Sequence, residues 1–267
     1  FVFKLQRQSD RYRQPEEDQL SQLARLCGPI VYANHQRYAD PNQYPGRWPK
    51  LEKNLQYFNV VRDPFSRANS AFHYAVNIDL RHDRARKVIE SRRKDRCGCH
   101  AMSFSQCVER AEEMDCPQNL QIGSSKDTIY DYILDDRLLA GFDLQQDCKD
   151  RMEGKVEGVS PFVNASIDFI KERYIFVGIA ERFRLGLKVL ETKMPDFFTR
   201  APDLSDNIPK QRSGHEAKLS AKAREILEAH PCNLNEKVFY EKVVEYFWEE
   251  VDRLGIETRA RRKLRKL

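Results

Sequence analysis

The chain has 267 residues, of which 40% are hydrophobic and 10% aromatic, enough to form one sizeable packed domain. Its 46 basic and 41 acidic residues give a net charge of only +5, which excludes a histone-like protein and leaves any anionic partner unidentified. No apolar run approaches the ~20 residues that span a bilayer, and no signal peptide is visible.

Alternating strands and helices are predicted along the chain. Short apolar runs rich in β-branched and aromatic residues indicate strands, and apolar residues three or four apart indicate helices. This alternation predicts an α/β fold with a mainly parallel sheet, in one domain over residues 1–255 followed by a basic tail at 256–267. In chain order, the predicted elements are a strand at 1–5, a helix at 16–26, strands at 30–32 and 55–61, helices at 64–76, 104–113 and 160–171, a strand at 174–179, and helices at 181–194, 218–229 and 236–254.

Seven cysteines are present, and Cys97, Cys99, Cys107 and Cys116 fall within twenty residues. A zinc site is the first alternative, but no Cys-x2-Cys pair occurs and the Cys-Gly-Cys-His spacing is cramped. We therefore favour a disulfide between Cys107 and Cys116 that closes a short loop, and we expect no metal. A disulfide indicates an oxidising compartment, and the glycosylation sequon at Asn164 agrees with it.

The segment from Tyr57 to Tyr74 is the strongest functional signal in the sequence. An apolar run ends there at Arg62-Asp63-Pro64, and a helical pattern that contains Ser70 follows. Arg62 offers a forked, permanently charged set of donors and Ser70 adds a hydroxyl, so that the pair is suited to hold a phosphate. The alternative is an ordinary strand–helix junction in which Arg62 pairs with a surface carboxylate.

His35, Arg62 and Glu181 each follow a predicted strand. Because the carboxyl ends of parallel strands share one edge, where ligands collect, we expect these three residues on one rim. An imidazole titrates near neutrality and can accept a proton there, although an ordinary strand-end histidine is the simpler interpretation of His35 alone. Glu181, taken alone, is best interpreted as a cap of the helix that it begins.

Three segments in this order resemble the glycosaminoglycan 2-O-sulfotransferases, meaning the heparan sulfate and dermatan/chondroitin uronyl enzymes. The segments are Val31–Tyr38, Asn59–Ser70 and Phe176–Phe183. The Arg-Asp-Pro…Ser and Val-Gly-Ile-x-Glu motifs are shared widely among Golgi carbohydrate sulfotransferases, whereas the His35 block points to the 2-O branch. The resemblance covers most of the chain in patches. It implies the fold of sulfotransferases that use PAPS (3′-phosphoadenosine-5′-phosphosulfate), a P-loop-like parallel sheet flanked by helices.

The resemblance also implies a role for each matched residue. His35 is similar to the general base that takes the proton from the uronic acid 2-hydroxyl. Arg62 and Ser70 match the ligands of the 3′-phosphate of PAPS, the co-substrate. A looser match assigns Lys210 and Arg212 to the region that closes over nucleotide and substrate. The glycosaminoglycan would be bound by arginines that follow the predicted helix at 64–76, which contains Ser70. The candidates are Arg81, Arg84 and Arg86.

These three arginines belong to a basic run over residues 79–99, and a solvated helix face is the alternative for each of them. The basic tail is better interpreted as a disordered end than as a binding site. DNA binding would rest on the basic runs alone, which is weak support. The Gly-x4-Gly-Lys-Ser/Thr motif of nucleotide kinases is absent from the sequence. We therefore expect no nucleic acid partner.

One part of the family pattern, the amino-terminal strand and the phosphate loop with its lysine, is missing. The segment Phe1–Phe3 matches the strand that follows this loop, so we expect a truncated domain that is nearly inactive alone. The competing functions are another Golgi carbohydrate O-sulfotransferase, which would not need His35, and a heparin-binding relative without catalysis. The resemblance further implies a homo-oligomer, such as a trimer, in the Golgi lumen, held by a type II membrane anchor outside this chain.

Overall fold

The computed structural model describes Ser21, residues 44–77, Cys99, and residues 102–116, 120–122, 143–207 and 218–256. This part of the chain is mostly helical and contains a small parallel sheet, which confirms the mixed α/β class. The strands are β1 (Tyr57–Val61) and β2 (Tyr174–Ile179). The helices are α1 (Pro49–Asn54), α2 (Pro64–Asn77), α3 (Phe104–Glu113), α4 (Leu144–Met152), α5 (Pro161–Arg173), α6 (Phe183–Lys193), α7 (Pro195–Phe198), α8 (Ala201–Leu204), α9 (Ala221–Ala229) and α10 (Leu234–Arg253), with 3-10 turns at Ala180–Arg182, Ser205–Asn207 and Pro231–Asn233.

The two strands lie side by side and run parallel. The pairing joins Phe58 to Phe176 and continues in register to Val61 and Ile179, so both strands end at the same edge of the sheet. Helices α5, α6 and α10 pack against β2 and bury most of it. At the centre of this core the rings of Phe176 and Phe247 are fully buried, with their centroids 5.8 Å apart. The core thereby fixes where the carboxyl ends of the strands lie.

A second apolar cluster connects α2, α3 and α9. Its buried members include Phe65 from α2, Phe104 and Val108 from α3, and Leu227 from α9. The start of α3 is fixed by a capping box, in which the side chains of Ser103 and the residue three positions later each accept a backbone N–H. Because α2 begins directly after β1, this second cluster holds the helix that leaves the edge of the sheet.

The cysteine pairing differs from the prediction. Among the described residues, Cys99 bonds to Cys107 and Cys148 bonds to Cys232. The predicted Cys107–Cys116 disulfide is therefore wrong, although Cys116 is itself disulfide-bonded. The physical reason is that Cys107 lies in the first turn of helix α3, which extends to Glu113 as predicted, so that Cys116 lies beyond the other end of the helix. Cys107 instead meets Cys99, with 5.0 Å between their Cα atoms.

Helix α4 lies in a segment whose sequence shows no clear apolar period. Asp143 caps its amino end, since its carboxylate accepts two backbone N–H groups of the first turn. The buried Arg151 side chain donates hydrogen bonds to Asp147 and to Asn235 of α10. The Cys148–Cys232 bond adds a covalent connection. This helix is thus held by polar and covalent contacts, which an apolar pattern does not reveal.

No helix of the described segments is long and apolar enough to cross a membrane.

Candidate functional site

The candidate site lies at the edge where β1 and β2 end together. The strands are parallel and the last pair in register is Val61 with Ile179. Arg62-Asp63 and Ala180-Glu181 therefore leave the sheet side by side, at the carboxyl edge where parallel sheets bind their ligands. Pro64 then begins α2, at the first helical position, where its missing N–H is not needed.

Asp63 is the residue that connects this edge. Its carboxylate oxygen Oδ1 accepts a hydrogen bond from the backbone N–H of Ser66 at 2.7 Å, which caps the amino end of α2. Its own backbone N–H donates to Oε1 of Glu181 at 3.0 Å. One N–H of the first turn of α2 is thus satisfied by a carboxylate of the chain itself.

Glu181 joins the two strand ends rather than capping its own helix. The Ala180–Arg182 turn has no side-chain cap. The Glu181 carboxylate instead accepts the Asp63 N–H and, through Oε2, the hydroxyl of Tyr240 on α10 at 2.8 Å. Burial, together with the neighbouring Glu181 carboxylate, raises the pKa of the Tyr240 hydroxyl above its ordinary value. Tyr240 therefore remains a protonated donor at neutral pH.

Arg224 on α9 binds the Asp63 carboxylate. Its guanidinium makes a forked contact with Asp63, at 2.9 Å from Nη2 to Oδ1 and 3.2 Å from Nη1 to Oδ2. It also lies 5.4 Å from the centre of the Phe65 ring and contacts Glu228 at 3.2 Å. Burial alone would raise the pKa of Asp63, but the bonds from Arg224 and Ser66 outweigh it and the pKa lies below its ordinary value. The bond to Asp63 raises the pKa of Arg224.

Asp63, Glu181, Arg224 and Tyr240 are called the strand-end cluster below. Their side chains come from the two strand ends and from two helices, and they surround the backbone next to Arg62. Arg62 is partly exposed directly after β1, and Ser70 is partly exposed on α2, six residues after Pro64 and thus about 9 Å along the helix axis. The use of Arg62 and Ser70 as phosphate ligands stays a prediction.

Most of the other predicted site residues lie outside the described residues. These are His35, Lys210, Arg212, Arg81, Arg84 and Arg86. Asn164, the predicted glycosylation site, is exposed on α5. The Ser166 of its sequon is buried, and its hydroxyl donates to the carbonyl of Phe162 at 2.7 Å. The part of the chain that the structure describes has no group of three or more His, Cys, Asp or Glu side chains placed to hold a metal ion.

The sequence gives no direct signal for two members of the strand-end cluster. Arg224 is one of several charged residues in a predicted helix, and Tyr240 lies in an aromatic pair on another helix. The contact between Asp63 and Arg224 spans 161 positions of the chain, and that between Glu181 and Tyr240 spans 59. Contacts over such distances follow from the packing of α9 and α10 and not from a local motif.

Comparison with known proteins finds no family model that matches the chain and no curated protein with significant similarity to it.

Proposed function

We propose that this chain is the catalytic domain, or part of it, of a carbohydrate sulfotransferase that uses PAPS and acts on the 2-hydroxyl of a uronic acid in a glycosaminoglycan. The observation that carries the proposal is the Arg62-Asp63-Pro64 junction. It lies at the carboxyl end of β1, a half-buried parallel strand, and is fixed by a neighbouring strand end and two helices. A phosphate-binding arginine needs such a rigid position, because a guanidinium fork recognises an anion only in a defined orientation.

In the proposed reaction the 2-hydroxyl oxygen attacks the sulfur of PAPS. A new oxygen–sulfur bond forms as the bond from sulfur to the 5′-phosphate oxygen breaks, and 3′-phosphoadenosine-5′-phosphate (PAP) leaves. His35 takes the proton of the hydroxyl, since a neutral imidazole can accept a proton near neutral pH. Arg62 and Ser70 bind the 3′-phosphate and so distinguish PAPS from nucleotides that lack it. Lys210 and Arg212 belong to the region that closes over the bound nucleotide.

The acceptor assignment rests on the sequence resemblance and on the chemistry of arginine. Arg81, Arg84 and Arg86 would contact sulfate and carboxylate groups of the polysaccharide, which guanidinium forks suit. The two disulfides, Cys99–Cys107 and Cys148–Cys232, are consistent with an oxidising compartment such as the Golgi lumen. We propose that compartment for the domain, with a homo-oligomer as its assembly.

Replacement of Arg62 tests the proposal. We expect Arg62→Gln to weaken PAP binding by at least tenfold in calorimetric titration, because a charge-assisted contact contributes about 1.5–3 kcal/mol. The matched control is Arg173→Gln. Arg173 directly precedes β2 and thus lies at the opposite edge of the same sheet. Equal PAP affinity in Arg62→Gln and Arg173→Gln would contradict the proposed binding of the 3′-phosphate by Arg62, which is called the Arg62 clamp below.

A second variant separates the 2-O assignment from another Golgi carbohydrate O-sulfotransferase. In a form of the protein that carries the phosphate loop and transfers sulfate, we expect His35→Ala to abolish transfer to a uronic acid 2-hydroxyl while PAP affinity is retained, because the imidazole is assigned to the acceptor and not to the nucleotide. Retained transfer in His35→Ala would favour an enzyme that acts on another hydroxyl.

A further inference from the structure

We infer that Arg224 and Tyr240 are positioning residues, which act through Asp63 and Glu181 to set the orientation of Arg62 and thereby the affinity for the nucleotide 3′-phosphate. This inference rests on the proposed function of the Arg62 clamp and deepens it. It names two residues of the strand-end cluster that no sequence motif marks.

The first step concerns the peptide bond between Arg62 and Asp63. This peptide is planar, so a contact that fixes the Asp63 N–H also fixes the carbonyl of Arg62. Glu181 accepts that N–H at 3.0 Å from its position after β2. A change in the position of the Glu181 carboxylate therefore rotates the peptide that carries Arg62, and the guanidinium at the end of its long side chain moves with it.

The second step concerns how the two carboxylates are themselves held. The Glu181 carboxylate is bound on its second oxygen by the hydroxyl of Tyr240 at 2.8 Å. The Asp63 carboxylate is held from the other side by the fork of Arg224. Tyr240 lies on α10 and Arg224 on α9, so the positions of two helices determine the orientation of one strand end.

The third step is that these contacts lie at the edge of the sheet, next to Arg62. The Arg224 side chain is 39% exposed and Glu181 is exposed, whereas the Asp63 side chain is only 14% exposed. The forked contact between Arg224 and Asp63 therefore also stabilises the fold, and the test needs a measurement that separates this stabilisation from an effect on Arg62.

The experiment is a double-mutant cycle in the 267-residue chain, with PAP binding measured by calorimetry. We expect Arg224→Gln to weaken PAP binding on the order of tenfold, as for residues that share one hydrogen-bond network. In a chain that already carries Arg62→Gln, the same replacement should change the affinity less than about twofold, because Arg224 acts only through Arg62. Lys222→Gln, an exposed residue on the same helix, is the matched control and should leave PAP affinity unchanged.

Tyr240→Phe supplies a second test, since it removes a single hydroxyl and keeps the ring in the fold. It should weaken PAP binding in the presence of Arg62 and have no further effect in Arg62→Gln. A merely structural role would lower the melting temperature and would weaken PAP binding equally in both backgrounds.

The outcomes distinguish this inference from the proposed function. If the unmodified chain binds PAP and the effects of Arg62→Gln and Arg224→Gln simply add, the positioning role is refuted and the clamp stands. If the unmodified chain has no preference for PAP over 5′-AMP, the proposed clamp is refuted and the inference falls with it.

Discussion

The two described disulfides should contribute very differently to stability. Cys148 and Cys232 are 84 residues apart, whereas Cys99 and Cys107 are 8 apart. If a disulfide acts by restricting the unfolded chain, its contribution increases with the logarithm of the loop that it closes. For these loop lengths the expected contributions are about 4.5 kcal/mol and about 2.5 kcal/mol, respectively. Removal of the long-range bond should therefore cost about 2 kcal/mol more than removal of the short-range bond.

The assay is equilibrium unfolding in urea of two double serine variants, one for each disulfide. All four cysteines are buried to a similar degree, so the loss of buried sulfur is nearly the same in both variants and the difference reports the loop length. The slope of the unfolding free energy with urea should also increase most in the variant without Cys148–Cys232, because its unfolded state is less compact. Equal losses in the two variants, or a larger loss without Cys99–Cys107, would refute this reasoning.

Two further predictions concern single buried side chains. Asn233 is fully buried; its amide donates to the carbonyls of Leu120 at 2.7 Å and Leu227 at 2.9 Å, and its oxygen accepts from Ile122 N–H at 2.9 Å. We expect Asn233→Ala to lower the free energy of unfolding by about 3 kcal/mol, because three hydrogen bonds of a buried amide are lost at about 1 kcal/mol each. Burial lowers the pKa of His230 below 6.5, so the unfolded chain takes up a proton before the folded chain does. Stability should therefore fall as the pH decreases below about 6.5, by at most about 1.4 kcal/mol per pH unit, and His230→Phe should reduce this dependence.

The measurements on Asn233 and on His230 each have a control. Asn164→Ala replaces an exposed asparagine on α5 and should change the free energy of unfolding by less than about 0.5 kcal/mol in unglycosylated protein. A similar loss in Asn164→Ala and Asn233→Ala would contradict the assigned contacts. For His230 the unfolding free energy is compared between pH 7.5 and 5.5, above the range in which carboxylates titrate. An unchanged pH dependence in His230→Phe would show that other groups cause it.

The sequence predicts the parts of this fold that depend on local apolar patterns. β1 and β2 are recognised as short apolar runs, and α10 is recognised because its apolar residues recur at the spacing of a helix. Helix α4 is not recognised, because it is fixed by a disulfide and by the buried polar contacts of Arg151. Local spacing likewise suggests the wrong partner for Cys107. The range of helix α3 is predicted correctly, but no local pattern shows that Cys99 approaches its first turn.

The candidate site, like the fold, is only partly visible in local sequence patterns. The position of Arg62 after a strand is visible in the sequence, and so is the position of Glu181 after a second strand. That Glu181 reaches across to the Asp63 N–H requires the register of the two strands, which no local pattern gives. The contributions of Arg224 and Tyr240 depend on how α9 and α10 pack, and they can be found only from the three-dimensional arrangement.

The most direct test of the central claim is a calorimetric titration of the unmodified chain with PAP and, in parallel, with 5′-AMP. The two nucleotides differ in the 3′-phosphate, which is the group that Arg62 and Ser70 are proposed to bind. The account predicts saturable binding of PAP and at least tenfold weaker binding of 5′-AMP, as expected for the loss of one charge-assisted contact. Equal affinity for the two nucleotides, or no binding of PAP by the folded chain, would contradict it.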